Sequence, residues 1–540
     1  VRSGADAQGV RRWTIDLAST GLGGVRANTP IAWPEPLSAT IGAVDSPAGP
    51  TLDRVACRSD FLTIEGTGSA RAFDLKANFD LQRLFDRVSQ FVDLTGVQLQ
   101  GQGTAEAACT RDAAGRFTVD ATAAVADFRL SSPGIPAWTE RQLVFGVQCV
   151  GLASGVGAMA LEQATLGLQS GDDQLTVKLS EPQINLFTVD AAWPLRIDGR
   201  GELSRWLTRL RPLVDFPAGL DVAGNGELTA TGRLRLPDDV EITESKLAVR
   251  PLRATYDGLT IDEPTADLTL AGRYRTSQTE VRDALLLTPS LAVQLRNVVW
   301  SAPAGRSPEL TGEAGVRADL ARIQALLLGP TPSALRTSGM LEAVARLQQT
   351  GSVIGVSLDA TTKDLVVTQG AETTWREPQV RVVGSGVYEP QRDSVAIDRL
   401  ELTADALRLR LNGKLHQLST TRDVRLSGEA DYDLARLTPI VQTYLGRGVA
   451  LSGRDTQGFE LSGPTAAPLG ASLPWEKLSG AARLGWDQLN LYGLQTGKQT
   501  LDARMSQGLV RVAPLSVAAG GGRLRIAPAL QLAPQPKTLH

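Results

Sequence analysis

Leu407-Arg408-Leu409-Arg410-Leu411-Asn412 alternates apolar and polar residues without a break. A period of two puts the three leucines on one face of a β-strand and the polar side chains on the other. The same alternation recurs at Gln174-Leu175-Thr176-Val177-Lys178-Leu179, at Leu291-Ala292-Val293-Gln294-Leu295 and at Arg523-Leu524-Arg525-Ile526. Asp257-Gly258, Asn412-Gly413 and Gly520-Gly521-Gly522 supply turn signals between such segments. The chain is therefore expected to be mainly β, its strands forming a sheet with one apolar and one polar face.

A second signature follows the strand. Asp433-Leu434-Ala435-Arg436-Leu437 begins 26 residues after Leu407, and its order (acid, Leu, any, Arg, large apolar) returns at Asp80-Leu81-Gln82-Arg83-Leu84, Glu202-Leu203-Ser204-Arg205-Trp206 and Asp319-Leu320-Ala321-Arg322-Ile323. The acids are separated by 202−80 = 122, 319−202 = 117 and 433−319 = 114 residues. Gly101, Gly224, Gly339 and Gly453 follow them at 21, 22, 20 and 20 residues. A fixed period marks tandem units of ~115 residues. They divide the chain into 1–100, 101–222, 223–337, 338–451 and 452–540, the first and last incomplete.

Each acid is expected to cap a short helix by accepting amide hydrogens of its first turn. Leu81, Leu84, Phe85, Val88 and Val92 in the first copy, and Leu203, Trp206, Leu207, Leu210 and Val214 in the second, follow the spacing of one buried helical stripe. Pro212 is expected to end or kink the second helix before Val214, and Pro439 to break the fourth or make it restart at Thr438 and Pro439. The Arg two positions after the Leu lies off the stripe, as a solvated charge would. Trp33-Pro34-Glu35-Pro36, Trp138-Thr139-Glu140-Arg141, Ile261-Asp262-Glu263-Pro264 and Trp375-Arg376-Glu377-Pro378 recur with the units; Gly497-Lys498 stands near the matching place of the fifth. They read as structural corners between strands rather than ligand contacts.

Composition bounds the function. A net charge of −3 without a dense basic run argues against a nucleic-acid surface. His416 and His540 are too few and too scattered for a metal site or a catalytic set. Cys57, Cys109 and Cys149 lack metal spacing; Cys109 and Cys149 are compatible with a disulfide in an oxidising compartment, while isolated buried thiols behave as small apolar residues. No apolar run approaches the ~18 residues that span a bilayer. Nucleophile elbows and phosphate loops are absent, and Gly520-Gly521-Gly522 enters a strand rather than a helix. The marked acids recur from unit to unit, whereas an enzyme needs one singular site. A non-enzymatic protein with no cofactor and no metal is expected.

A sheet with one apolar face must bury it. One short helix per unit covers a fraction of it, so the sheet either folds across itself into a sandwich or curls into a trough whose apolar floor takes a ligand. Units stacked end to end would make a groove on the order of 150 to 200 Å long. Such a groove suits acyl chains.

The repeated helices opening with Asp-Leu-Ala-Arg-Leu, set among alternating strands with Leu451-Ser452-Gly453, Leu461-Ser462-Gly463 and Gly224-Asn225-Gly226, resemble the periplasmic part of AsmA-like and TamB-like proteins of Gram-negative bacteria. That family is similar in architecture to chorein-type bridge-like lipid transfer proteins. The likeness covers essentially the whole chain as texture and period. It implies an inner-membrane anchor upstream of Val1, the chain being a piece of a longer protein. It also implies a periplasmic location, an outer-membrane partner, and a role in moving phospholipid or in envelope assembly.

The expected fold is thus an elongated, curled antiparallel sheet with a few short helices and an apolar groove. Its floor is expected to hold Leu175, Val177, Leu179, Leu291, Val293, Leu295, Leu407, Leu409, Leu411, Leu524 and Ile526, with phospholipid acyl chains as the ligand. The rival expectation is an envelope assembly scaffold whose sheet edges pair with client strands.

Overall fold

A computed structural model of the chain describes residues 1–5, 10–26, 29–33, 35–46, 49–69, 71–89, 96–155, 158–184, 191–212, 214, 216–257, 259–303, 305, 307–328, 335–369, 372–465, 474–519, 522–532 and 538–539. The chain divides into two compact units, Val1–Tyr274 and Arg275–His540. Both are dominated by strands. In the first, strands from Arg11–Ser19 to Ala266–Arg275 run in chain order, each antiparallel to its predecessor. In the second, the same meander runs from Gln278–Leu287 through Leu407–His416 to Leu509–Val512. The sheet is curled and is not closed into a barrel. The second unit adds a three-stranded sheet, Val449–Ser452, Gln488–Leu491 and Leu494–Thr496.

Four α-helices occur among the described residues: α1 (Leu81–Val88), α2 (Leu203–Leu210), α3 (Leu320–Leu328) and α4 (Leu434–Leu445). Each starts at the end of a strand, directly after the acid of the repeated signature. Asp80 accepts from the Arg83 amide at 3.1 Å, Asp319 from the Ala321 amide at 2.9 Å and Asp433 from the Ala435 amide at 3.1 Å. The longer Glu202 side chain does more: it accepts from the Ser204 amide at 3.5 Å and from the Gly224 amide, on the next strand, at 3.0 Å. The cap therefore ties helix to sheet as well as satisfying a free helical amide.

The recurrent glycines share one conformation. Gly101, Gly224, Gly339 and Gly453 have φ of 140°, 132°, 131° and 134°. This region suits only a residue without a Cβ. At Gly224 a Cβ would also run into the Pro251 carbonyl oxygen on the neighbouring strand.

Three expectations are corrected. Asn412-Gly413 is not a turn but lies inside the strand Leu407–His416, where Gly413 takes φ 157° and its missing side chain leaves room for the Arg425 backbone. Helix α4 runs unbroken through Pro439. It is held from outside: the Thr438 hydroxyl accepts from the Leu451 amide at 3.2 Å, and Leu434 and Leu437 pack into a core cluster. In α2 the apolar stripe does not set the buried face, because Leu210 and Val214 are exposed while Arg209 is buried. Helix α2 ends before Pro212, as expected. Val92, Pro34, Gly258, Gly520, Gly521 and His540 lie outside the described residues.

Candidate functional site

Cross-strand partners in an antiparallel sheet share a face, so the registers trace which side chains stand in line. From Leu175 the line runs across the first unit through Leu17, Ala39, Cys57, Ile64, Ala77, Ala105, Ala123, Phe145, Leu168, Leu175, Gly199, Leu228, Leu247 and Leu268. None of these residues is polar. Val177 belongs to the neighbouring line, beside Leu166 and Val147 on one side and Ile197 and Ala230 on the other. Leu179 pairs with Leu195, which continues to Gly232, Ile242 and Gly272.

The second unit repeats the arrangement. Leu295 and Leu411, far apart in the chain, stand in one line: Ala284, Leu295, Ala314, Ala345, Leu358, Gly384, Leu400, Leu411, Gly428, Phe459, Ala482, Ala503 and Val512. Val293 and Leu409 share the next, through Val316, Ala343, Ala360, Val382 and Leu402. Leu291 opens a shorter line with Ala318 and Leu341. On the opposite face Arg381 pairs with Asp359 at 2.7 Å and Arg410 with Glu401 at 3.0 Å, cross-strand ion pairs in solvent.

Most expected residues therefore assemble; Leu524 and Ile526 do not. They lie on a separate hairpin, Leu515–Ala519 with Gly522–Ile526, where Leu524 is exposed. Leu407 is on the face but pairs with Tyr432 and packs into a closed cluster with Leu434 and Trp486. The alignment also adds residues that local pattern did not single out, chiefly Ala77, Ala105, Ala107, Ala121 and Ala123 in the first unit. Alternating alanines carry too little hydrophobicity to mark a face in the sequence alone, although their spacing of two was a usable signal.

Among the described residues the face is covered near the helices, and also at the far end of one strand, where Val424 and Leu478 are buried. In the first unit Val125, Phe128 and Leu143 form a buried cluster against Leu81 of α1, with the Phe128 and Trp138 rings packed edge to face at 4.8 Å. In the second, Tyr432, Leu434 and Trp486 do the same beneath α4 and the three-stranded sheet. Away from these clusters large side chains stay open: Val147 is 38% and Leu166 47% exposed, although both are central in the sheet.

Buried charge fastens the covered margin. Asp173, 1% exposed, receives a bidentate pair from Arg205 (both bonds 2.6 Å) and a contact from Arg209 at 2.8 Å. Arg209, 4% exposed, also donates to Glu140 at 2.6 Å and lies 4.7 Å over the Trp206 ring. Burial pushes both carboxyls up, but for Asp173 the bonds from Arg205, the Glu202 amide and Arg209, and for Glu140 those from Arg209, Ser170 and Trp138, outweigh it and hold each below the usual carboxylate range. Arg205 is thus exposed yet ion-paired, and Arg436 likewise reaches Asp405 at 3.0 Å. Sequence periodicity treated these arginines as solvated.

The Trp–acid corners are internal clamps. Trp138 donates to Glu140 at 2.9 Å and Trp375 to Glu377 at 3.0 Å. Glu377 also accepts the Asp405 and Ala406 amides just ahead of the strand carrying Leu409. Glu35 pairs with Arg87 of α1, which also binds Asp60 at 2.9 Å.

The three cysteines are free, and all point to the apolar face. Cys109 and Cys149 flank Val119 on alternate strands, two spacings or about 9.6 Å apart. That exceeds disulfide reach, so the pairing is excluded. Burial raises the Cys149 thiol, keeping it protonated. Among the described residues no group of three His, Cys, Asp or Glu side chains could hold a metal ion, and no helix is long and apolar enough to cross a membrane.

No protein-family model matches this chain, and no curated protein matches it.

Proposed function

We propose that the chain is a non-enzymatic lipid-binding conduit in which each unit carries phospholipid acyl chains along its uncovered apolar face. The observation that carries this reading is the pair Val147 and Leu166: large apolar neighbours in the middle of a sheet, next to the wholly apolar line through Leu175, left open. A contiguous exposed apolar patch of this kind belongs to a binding surface. With fourteen aligned positions spaced by ~4.8 Å, the first unit's face extends about 60 Å across its strands. Covering a half-exposed Leu or Val returns on the order of 1 kcal/mol, so a bound chain touching many such positions is held by their sum rather than by one pocket.

The resemblance to AsmA-like and TamB-like proteins supports placing this activity in the periplasm. There the conduit moves phospholipid between inner and outer membrane, with an inner-membrane anchor and an outer-membrane partner beyond this sequence.

The test is mass spectrometry of lipid extracted from protein prepared without detergent. The wild type is expected to retain several phospholipids per chain. Leu409→Asp, and Leu166→Asp in the other unit, are expected to reduce retention at least several-fold while the protein stays folded, since a carboxylate in an acyl-lined face is costly to desolvate. A folded wild-type protein that carries no lipid would sink the conduit reading and favour a scaffold that pairs client strands.

A further inference from the structure

The polar face of the first unit carries a hollow of its own, where α1 leaves the sheet. It measures about 570 Å³, within the ~300–1,000 Å³ of small-ligand sites, and spans five consecutive strands, from Leu62–Ser69 to Ile135–Gly155. Two adjacent lines of the polar face cross it: Thr63, Asn78, Thr104 and Ala124, and then Asp80, Gln102, Ala126 and Gln142. Ala124 and Ala126 leave the floor low, because neither side chain extends past a methyl group. Phe61, half-buried, lines the wall beside Asp80, whose amide donates to the Phe61 carbonyl.

The chemistry of the hollow differs from that of its surroundings. One line further along the strands the side chains are charged and meet each other: Glu65, Lys76 and Glu106 stand in register, with Lys76 on Glu106 at 3.0 Å. In the hollow Asn78, Gln102, Thr104 and Gln142 are neutral and exposed, and their side chains make no hydrogen bond with protein among the described residues. The repeat supplies a contrast. In the second unit Arg454 faces Asp433 as Gln102 faces Asp80, and Asp431 faces Thr456 as Asn78 faces Thr104. The hollow at that equivalent place is smaller, about 310 Å³, and its charges close on one another: Arg454 on Asp433 at 2.8 Å and Arg436 on Asp405 at 3.0 Å. The first unit keeps the space and leaves its polar groups unengaged.

A fitting ligand must both donate and accept hydrogen bonds, since each amide side chain offers an NH₂ group and a carbonyl oxygen, and threonine a hydroxyl. Asp60 and Asp80 in the wall, against the single lining cation Arg141, disfavour an anion. An added peptide strand has no edge to join, because all five strands are hydrogen-bonded on both sides. An acyl chain would cover the amides without pairing them. We infer that the hollow binds a short neutral saccharide. Its hydroxyls, each donor and acceptor at once, meet Asn78, Gln102, Thr104 and Gln142, and an apolar C–H face of a sugar ring packs on Phe61. The site lies on the face opposite the lipid surface, so it stands independently of the conduit reading.

The experiment is saturation-transfer NMR of the whole chain with maltose, cellobiose and N,N′-diacetylchitobiose in turn, each at millimolar concentration. At least one of the three is expected to receive saturation from the wild type. For that sugar, the double variant Asn78→Ala with Gln102→Ala, and Ala126→Trp, which fills the floor, are each expected to cut the transfer at least fivefold. Arg408→Ala, at the equivalent hollow of the second unit, is expected to leave it unchanged. Should Ala126→Trp not fold by circular dichroism, the double variant decides, because both of its side chains are exposed and without a protein partner. Transfer to none of the three sugars from folded wild type overturns the inference. So does transfer that survives the double variant, or that falls equally in Arg408→Ala, since either result places the sugar elsewhere.

Discussion

Leu143 and Leu166 face the same side of the same sheet, yet Leu143 is 0% exposed and Leu166 47%. Leu143 lies four residues, about 13 Å, along its strand from Val147, the partner of Leu166. Over that distance the cover ends. Leu143 is sealed by Val125, Phe128 and the helix residue Leu81, whereas no layer crosses the face at Leu166 among the described residues. One face thus does two jobs. Near the helices it is a core that holds the fold; at Val147 and Leu166 it is an open apolar surface.

The comparison can be broken at its anchor first. Asp173→Ala removes one of the two carboxylates that hold buried Arg209, and the partner of Arg205, and is expected to destabilise the first unit by about 3 kcal/mol, measured by denaturant unfolding. A change below about 1 kcal/mol would mean that the cluster is solvated and does not fasten the margin.

Leu143→Ala should come next, at about 3 kcal/mol, because it opens a cavity in a closed cluster. Acid should act on the same margin. The folded pKa values of Asp173 and Glu140 lie below their unfolded values near 4, so their contribution is complete above that range and is lost as pH falls through the folded values. Asp173→Asn should therefore flatten stability against pH below about 4; an unchanged slope would place the acid sensitivity elsewhere.

The smallest effect on stability sharpens the contrast most. Leu166→Ala should cost about 1 kcal/mol or less, since nearly half of the side chain is already in water, but should lower lipid retention. If it costs as much as Leu143→Ala, both leucines belong to one closed core.

Residues close in the chain determined much of this protein. Alternation at Leu407 to Leu411 specified a strand, because a period of two is local backbone geometry. The acids at 80, 202, 319 and 433 specified helix starts, and the glycines about 20 residues later marked positions of positive φ, because caps and backbone conformations act within a few residues. Tertiary structure decided the rest. Register between distant strands put Leu295 and Leu411 in one line and left Leu524 on a separate hairpin. Remote carboxylates at Glu140 and Asp173 turned Arg209 inward against the helical stripe, since a buried charge goes where its partners are. Packing against Val449–Ser452 carried α4 through Pro439. Above all, whether the apolar face is a core or a groove depends on how far the sheet curls and what crosses it, and no run of neighbouring residues encodes that.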